Sequence, residues 1–290
     1  MKILAACDGS EGSITALKYL NRLPLKDKAI DLVSVVHSIE YLADQLDPSA
    51  IELIESLNTN YKEDAKKALT AALEIFDNNA KSSVLEGDPV HELIKISKNY
   101  DLVTMGTRGM GPSKSFFMGS VSDALVRESL CPVLVLPEKV RCDGDTRRQL
   151  VVGVDLTKSS KEIFSFLSRF DFSKVASVHL VTVFKQASYA LMSGTVSLID
   201  RMARDKADAS GELSSFKDKL EADNPKCSVK IATLTTKESA GFELAKYASE
   251  LNDSLLIVGS GRKKFLDRLL LGSTSRELIH ALKIPLVVVR

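Results

Sequence analysis

The sequence predicts an α/β chain built from two tandem domains. Each is a doubly wound five-stranded parallel sheet of order 3-2-1-4-5 with helices on both faces. Three observations predict it. Short continuous apolar runs alternate with amphipathic stretches along the whole chain, the pattern of parallel strands covered on both sides. The second half repeats landmarks of the first. A glycine-rich run, G-T-R-G-M-G-P-S-K-S-F-F-M-G-S from Gly106 to Ser120, joins an apolar strand to a helical pattern.

Composition sets the frame. A length of 290 residues suggests two domains at roughly 150 residues each. The chain is 44% hydrophobic and 27% charged with a net charge of +1. That balance argues against a nucleic-acid binder, which needs a strongly basic face. No apolar run reaches the length of a membrane span. Four cysteines (Cys7, Cys131, Cys142, Cys227) and four histidines (His37, His91, His179, His280) are scattered without metal-ligand spacing. No metal is expected. Cys7 and Cys131 read as small hydrophobes in or beside strands, and the histidines as ordinary structural or surface residues.

The first strand is expected over residues 3–7. Leu4-Ala5-Ala6-Cys7 resembles a lipoprotein cleavage box, but the few residues before it leave no room for an apolar signal core. The run therefore reads as a buried strand in a cytoplasmic protein. Asp8-Gly9-Ser10 follows as a turn, in which Asp8 is either a ligand contact or a helix N-cap. The second strand is expected over 30–36. In the helix after it, Leu57, Tyr61, Ala65, Ala68, Leu69, Ala72 and Phe76 recur at three- and four-residue steps and form its core face. The third strand is expected over 82–86, followed by Gly87-Asp88-Pro89, with Pro89 in the first turn of a helix where a missing N–H costs little. The fourth and fifth strands are expected over 101–105 and 132–136.

The second copy is in register. Leu150–Asp155 echoes Ile3–Asp8, Leu255–Gly259 echoes Leu102–Gly106, and Gly272-Ser273 echoes Gly119-Ser120. Ile284–Val289 echoes Cys131–Leu136. The offset is 147 at the first pair (155 − 8) and 153 at the later ones (259 − 106). The polar stretch Arg141–Arg148 reads as a linker with the boundary near residue 145, giving domains 1–140 and 148–290.

The glycine run is where chemistry is expected. Glycines let backbone N–H groups approach a ligand closely. The opening turn of the next helix adds free donors and a positive dipole end, which suits phosphate. Two known devices fail. Gly106 and Gly111 have Walker A spacing, but Pro112 stands where the phosphate-binding lysine belongs. Gly109-x-Gly111 is followed by Lys114 rather than glycine, so the dinucleotide fingerprint is broken. In the expected strand order, Asp8 and Gly106 meet at the point where the order reverses, the usual ligand crevice of such folds.

Taken together, Asp8-Gly9-Ser10, Gly87-Asp88-Pro89 and G-x2-G-x9-G-S resemble the universal stress protein family, in its tandem two-domain form. That resemblance implies Rossmann-like domains and an adenine-nucleotide site in the first half, holding ATP with or without Mg²⁺. Asp8 and the backbone of Val35 are then expected at the adenine and ribose end. Met105, Gly106, Arg108 and Gly109 are expected along the ribose and phosphates, and Gly119, Ser120, Val121 and Ser122 at the phosphates. Capping of the fourth helix by Ser120 and Ser122 is an alternative that can coexist with phosphate contact. The resemblance also implies that the last strands, Val133–Leu136 and Leu286–Val289, pair the two domains within one chain. Homodimerisation stays open.

The second half departs from the pattern. Gly259, Gly272 and Ser273 are in register, but Arg262 replaces the second glycine of the motif and Leu156-Thr157 replaces Gly-Ser after Asp155. Thr235-Thr236-Lys237-Glu238 stands near the place of Gly-Asp-Pro. With Val183 and Thr274, these define a weaker second site, expected to bind ATP poorly or not at all. Two alternatives stay open: Arg262 pairs with a phosphate, or the pocket takes a different small ligand.

The function expected is that of an ATP-binding stress-response regulatory protein. Phosphoryl chemistry needs a lysine clamp, metal carboxylates and a positioned base, and Lys114 and Asp123 lack a spacing that demands it. The alternatives are a slow ATPase, or a scaffold or small-ligand binder acting through the second domain with unidentified protein partners.

Overall fold

The computed structural model of the protein describes residues 1–37, 48–107, 109, 118–140, 147–155, 160–185, 196–261, 273–280 and 284–290. The chain divides into two compact units, Met1–Cys142 and Asp143–Arg290.

The first unit runs β1 (Lys2–Ala6), α1 (Glu11–Arg22), β2 (Ala29–Val36), α2 (Pro48–Glu74), β3 (Lys81–Glu86), α3 (Pro89–Ser97), β4 (Leu102–Gly106), α4 (Ser120–Glu128) and β5 (Val133–Leu136). All its strands are parallel, in the order β3-β2-β1-β4-β5. Helix α1 lies on β4, α2 on β2 and β3, α3 on β2 and α4 on β5, and α3 and α4 pack together. The core is aliphatic, with Ile3, Leu4, Leu17, Leu20, Leu32, Leu102, Val103, Leu125 and Leu134 fully buried.

Local chemistry explains the boundaries. Ser10 caps α1 by accepting from Ser13 N, worth about 1 kcal/mol. The helix ends where Lys28 Nζ donates to the Leu20, Asn21 and Leu23 carbonyls, placing a cation at the negative dipole end. Asp88 caps α3 by accepting from His91 N, with Pro89 in the first turn.

Two expectations about burial need correction. Tyr61 is not core; it is 52% exposed. The helix α2 has 27 residues, about 40 Å at 1.5 Å per residue, whereas β2 has 8 residues, about 26 Å at 3.3 Å each. The helix is longer than its strand; on the predicted stripe Ala65, Leu69, Ala72 and Phe76 are buried. The side chain of Leu57 lies outside the described residues. Strand β3 is not covered on both faces either. Lys81–Ser83 and Glu86 are exposed, because within its unit the strand is an edge paired only to β2.

The second unit repeats the plan: β6 (Arg148–Gly153), α5 (Ser160–Leu167), a short 3₁₀ turn (Phe172–Lys174), β7 (Val175–Lys185), α6 (Val196–Asp223), β8 (Ser228–Thr236), α7 (Ala240–Ser249), β9 (Ser254–Gly259), α8 (Ser273–His280) and β10 (Leu286–Val289). Its parallel order is β8-β7-β6-β9-β10, the same as in the first unit. Phe164 of α5 stacks on Phe216 of α6 with ring centroids 3.8 Å apart. No described helix is long and apolar enough to cross a membrane.

Candidate functional site

In the first unit β1 and β4 are neighbours, and the strand order reverses between them. The chain leaves β1 through Cys7, whose N–H donates to the Val33 carbonyl at 2.9 Å. Burial pushes the Cys7 thiol pKa up, so this cysteine packs as a neutral side chain. Asp8 then accepts from both the N–H and the hydroxyl of Ser10, at 3.0 and 2.6 Å. Gly9 makes this turn with φ of +82°, and a Cβ there would lie 3.0 Å from Ala68 Cβ. The N-cap role weighed for Asp8 belongs to Ser10 instead. Asp8 sits one turn earlier, half exposed at the crevice.

From the other side, β4 delivers Met105, buried in the sheet, and Gly106 at its end. A Cβ at Gly106 would lie 2.7 Å from the backbone carbon and oxygen of Gly12 in α1. Gly106 is therefore required by helix packing, whatever else it does. Its partner Gly12 escaped the sequence reading; the signal was a glycine in the first turn of a helix, against propensity. Three residues on, a Cβ at Gly109 would overlap Asp8 Oδ2. The ends of β1 and β4 thus bring Asp8 and the Gly109 backbone together. Arg108, expected beside them, lies outside the described residues, as does Lys114. Val35 is half buried on β2, in register with Leu85.

The far end of the glycine run returns to the same strand. Gly119 N donates to the Thr107 carbonyl at 2.8 Å. Gly119 is the N-cap of α4 and contributes no side-chain cap bond. Ser120, Val121 and Ser122 form the first turn of α4, where N–H groups lack intrahelical partners. Ser120 is exposed and Val121 half buried. Ser122 is buried, and its hydroxyl donates to the Thr107 and Gly119 carbonyls at 2.9 and 3.0 Å. That donor is committed to the fold, so only the Ser122 N–H remains on offer. Thr107 is a second residue the sequence reading missed; its carbonyl takes both bonds and ties the helix start to β4. Asp123 pairs with Arg127 at 2.8 Å as an ordinary surface pair.

The second unit keeps the tethers. Ser275 Oγ donates to the Gly259 carbonyl at 2.9 Å, and Ser260 N to the Val289 carbonyl at 2.9 Å, as Thr107 N does to Leu136 at 2.8 Å. Asp155 is exposed after β6, and Val183 is half buried on β7. Ser273 opens α8 and Thr274 is half buried behind it. Arg262 and Gly272 lie outside the described residues. In place of Gly-Asp-Pro, Thr236 Oγ1 accepts from Glu238 N at 2.9 Å, and Ser239 caps α7 by accepting from Phe242 N. Among the described residues, no group of three His, Cys, Asp or Glu gathers to hold a metal.

The sequence matches the universal stress protein family over residues 1–137 and again over 146–290. The chain belongs to that family. A universal stress protein of Mycobacterium tuberculosis is 26% identical over 239 residues, covering 78% of this chain and 73% of the relative. A universal stress protein of Thermus aquaticus is 34% identical over 137 residues, 46% of this chain and 96% of the relative. The crystal structure of a universal stress protein from Archaeoglobus fulgidus aligns over 100% of this chain and 96% of its own with a TM-score of 0.68 at 21% identity. The shared architecture is therefore the tandem universal stress protein fold.

Proposed function

We propose that the first unit binds an adenine nucleotide as a regulatory ligand in a stress response, and that the second unit does not bind it with comparable affinity. The carrying observation is the approach of Gly109 to Asp8, so close that a side chain at 109 has no room. A carboxylate at one end of the crevice accepts from an amine or a sugar hydroxyl. Open N–H donors at the start of α4 suit the phosphates at the other. Glycine between them lets main chain, rather than side chain, line the path. In this reading Asp8 and Val35 hold the base and ribose, Met105, Gly106, Arg108 and Gly109 line the middle, and Gly119, Ser120, Val121 and Ser122 take the phosphates. In the second unit, Arg262 at the position matching Gly109 works against backbone contact.

The test is calorimetric titration of the full chain with Mg-ATP, ADP and AMP. One mole is expected to bind per chain, and Gly109→Val to weaken binding at least tenfold. At ligand a hundredfold above Kd, stability should rise by about 2.7 kcal/mol. Absence of binding at millimolar ATP, or two equal sites, overturns the reading.

A further inference from the structure

In the second unit β7 carries His179, only 2% exposed. Its Nδ1 lies 2.8 Å from the Tyr247 hydroxyl on α7, and its Nε2 lies 2.9 Å from Ser177 Oγ. The Ser177 hydroxyl donates to Gln149 Oε1 on β6 at 3.3 Å. Since the single serine proton goes to Gln149, Ser177 accepts from Nε2–H, and Nδ1 accepts from Tyr247. Only the neutral imidazole protonated on Nε2 satisfies every member of this chain.

Protonating Nδ1 breaks the arrangement. Tyr247 must turn its proton away, and a cation appears in a buried site. Burial first, then the charge of Lys230, lowers the His179 pKa from its ordinary value. Lys230 is the neighbour in register on β8 and is exposed. From β6 come only uncharged Gln149 and Val151. From α7 comes Tyr247, whose phenol is raised by burial and then by Glu250. Lys246 and Glu250 of the α7 end are exposed, and Arg148 and Asp253 pair with each other nearby.

We propose that His179 is an acid-sensitive latch between β7 and α7 that loosens the second unit on acidification and leaves the first in place. Helix α7 backs the start of α8, where a Cβ on Gly241 would lie 2.9 Å from the Thr274 carbonyl, so release of the latch reaches that helix. The first unit has no imidazole at the matching strand position. Asp31 stands there and accepts from the Tyr100 hydroxyl at 2.9 Å. Its own histidines, His37 and His91, are exposed.

The sign follows from linkage. The unfolded imidazole takes up a proton below about pH 6.5, while the folded one resists. The unfolded state therefore binds more protons, and stability falls as pH drops through that window. At pH 5.5, one unit below the ordinary value, opening of the latch rises by up to about tenfold.

Hydrogen exchange read by mass spectrometry on the full chain at pH 7.5 and 5.5, corrected for intrinsic rates, tests this. Peptides from β7 and α7 should lose about tenfold in protection in the wild type, while those from β2 and α3 stay unchanged. In His179→Gln, which keeps a donor and an acceptor but does not titrate, the loss should vanish. Equal acid loosening of both units, or undiminished loosening in His179→Gln, overturns the proposal. If that variant does not fold, Lys230→Met decides. Removing the neighbouring charge eases protonation of the folded state, so the acid loss shrinks; an unchanged loss overturns the latch.

Discussion

The motifs at the mouths of the two units differ in sequence although the frames beneath them match. Both keep the serine on the fourth helix that ties back to the preceding strand, Ser122 and Ser275. Both keep the N–H bond from beyond the fourth strand to the fifth, at Thr107 and Ser260. What changes is the residues written into the mouth. The first unit brings Gly106 against Gly12 and Gly109 against Asp8. The second leaves Asp155 exposed and has Arg262 in its motif. Strand ladders and helix tethers are repeated because the fold fails without them, and the mouth is the part a duplicated copy is able to alter.

Substitutions at five positions break or sharpen this contrast, from the largest effect to the smallest. Gly106→Val forces a side chain into the α1 backbone, which has no rotamer to yield; a loss of about 3 kcal/mol in denaturant midpoint analysis is expected. Gly109→Val meets only the Asp8 carboxylate, so it should cost less than about 1 kcal/mol of stability and at least tenfold in ATP affinity. If both glycines act equally on stability, the distinction between packing and ligand glycines fails. Tyr247→Phe leaves buried His179 Nδ1 without a donor and should cost about 1–2 kcal/mol, and Tyr100→Phe, which removes a donor from Asp31, about 1. Gly211→Ala, in the middle of α6 with nothing within 4 Å of the added methyl, should stabilise by about 0.5–1 kcal/mol. Thermal unfolding read unit by unit checks the last two.

Both units carry a phenol held above its ordinary value, Tyr100 and Tyr247, so both weaken in alkali and the second alone adds an acid limb. Tyr100 is pushed up to about 12 by burial first and by its bond to Asp31 second. The unfolded phenol loses its proton near pH 10, so the folded state binds more protons above that. The first unit should therefore weaken as pH rises from about 10 toward about 12, and Tyr100→Phe should flatten that limb. The second unit weakens on the acid side through His179.

Much of this was legible in the residues. The repeat and the alternation of apolar runs and helices followed from spacing, and the strand order is one of the few topologies a parallel sheet tolerates. The juxtaposition of Asp8 with the glycine run followed from that order. Less visible was what tertiary neighbours decide. Tyr61 lies on the right stripe, but the helix is longer than its strand. The third strand, an edge in its unit, is exposed despite its place in a parallel sheet. Asp8 and Ser10 are both good caps by type, and only the turn at Gly9 assigns the bond to Ser10. Gly106 looked like a ligand glycine, and Gly12, which makes it a packing glycine, sits 94 positions earlier (106 − 12). The His179 chain joins three secondary-structure elements, which no local pattern announces.

The bond from Gly119 N to the Thr107 carbonyl acts as a clasp: whatever runs between these residues leaves and returns at one fixed point. Closing a segment there costs free energy that grows only with the logarithm of its length, about 0.6 kcal/mol per doubling. The stretch between is thus an exchangeable cassette. A lineage, or an engineer, is free to lengthen or rewrite it while the helix start stays where it is, and to change what the mouth selects without renegotiating the scaffold.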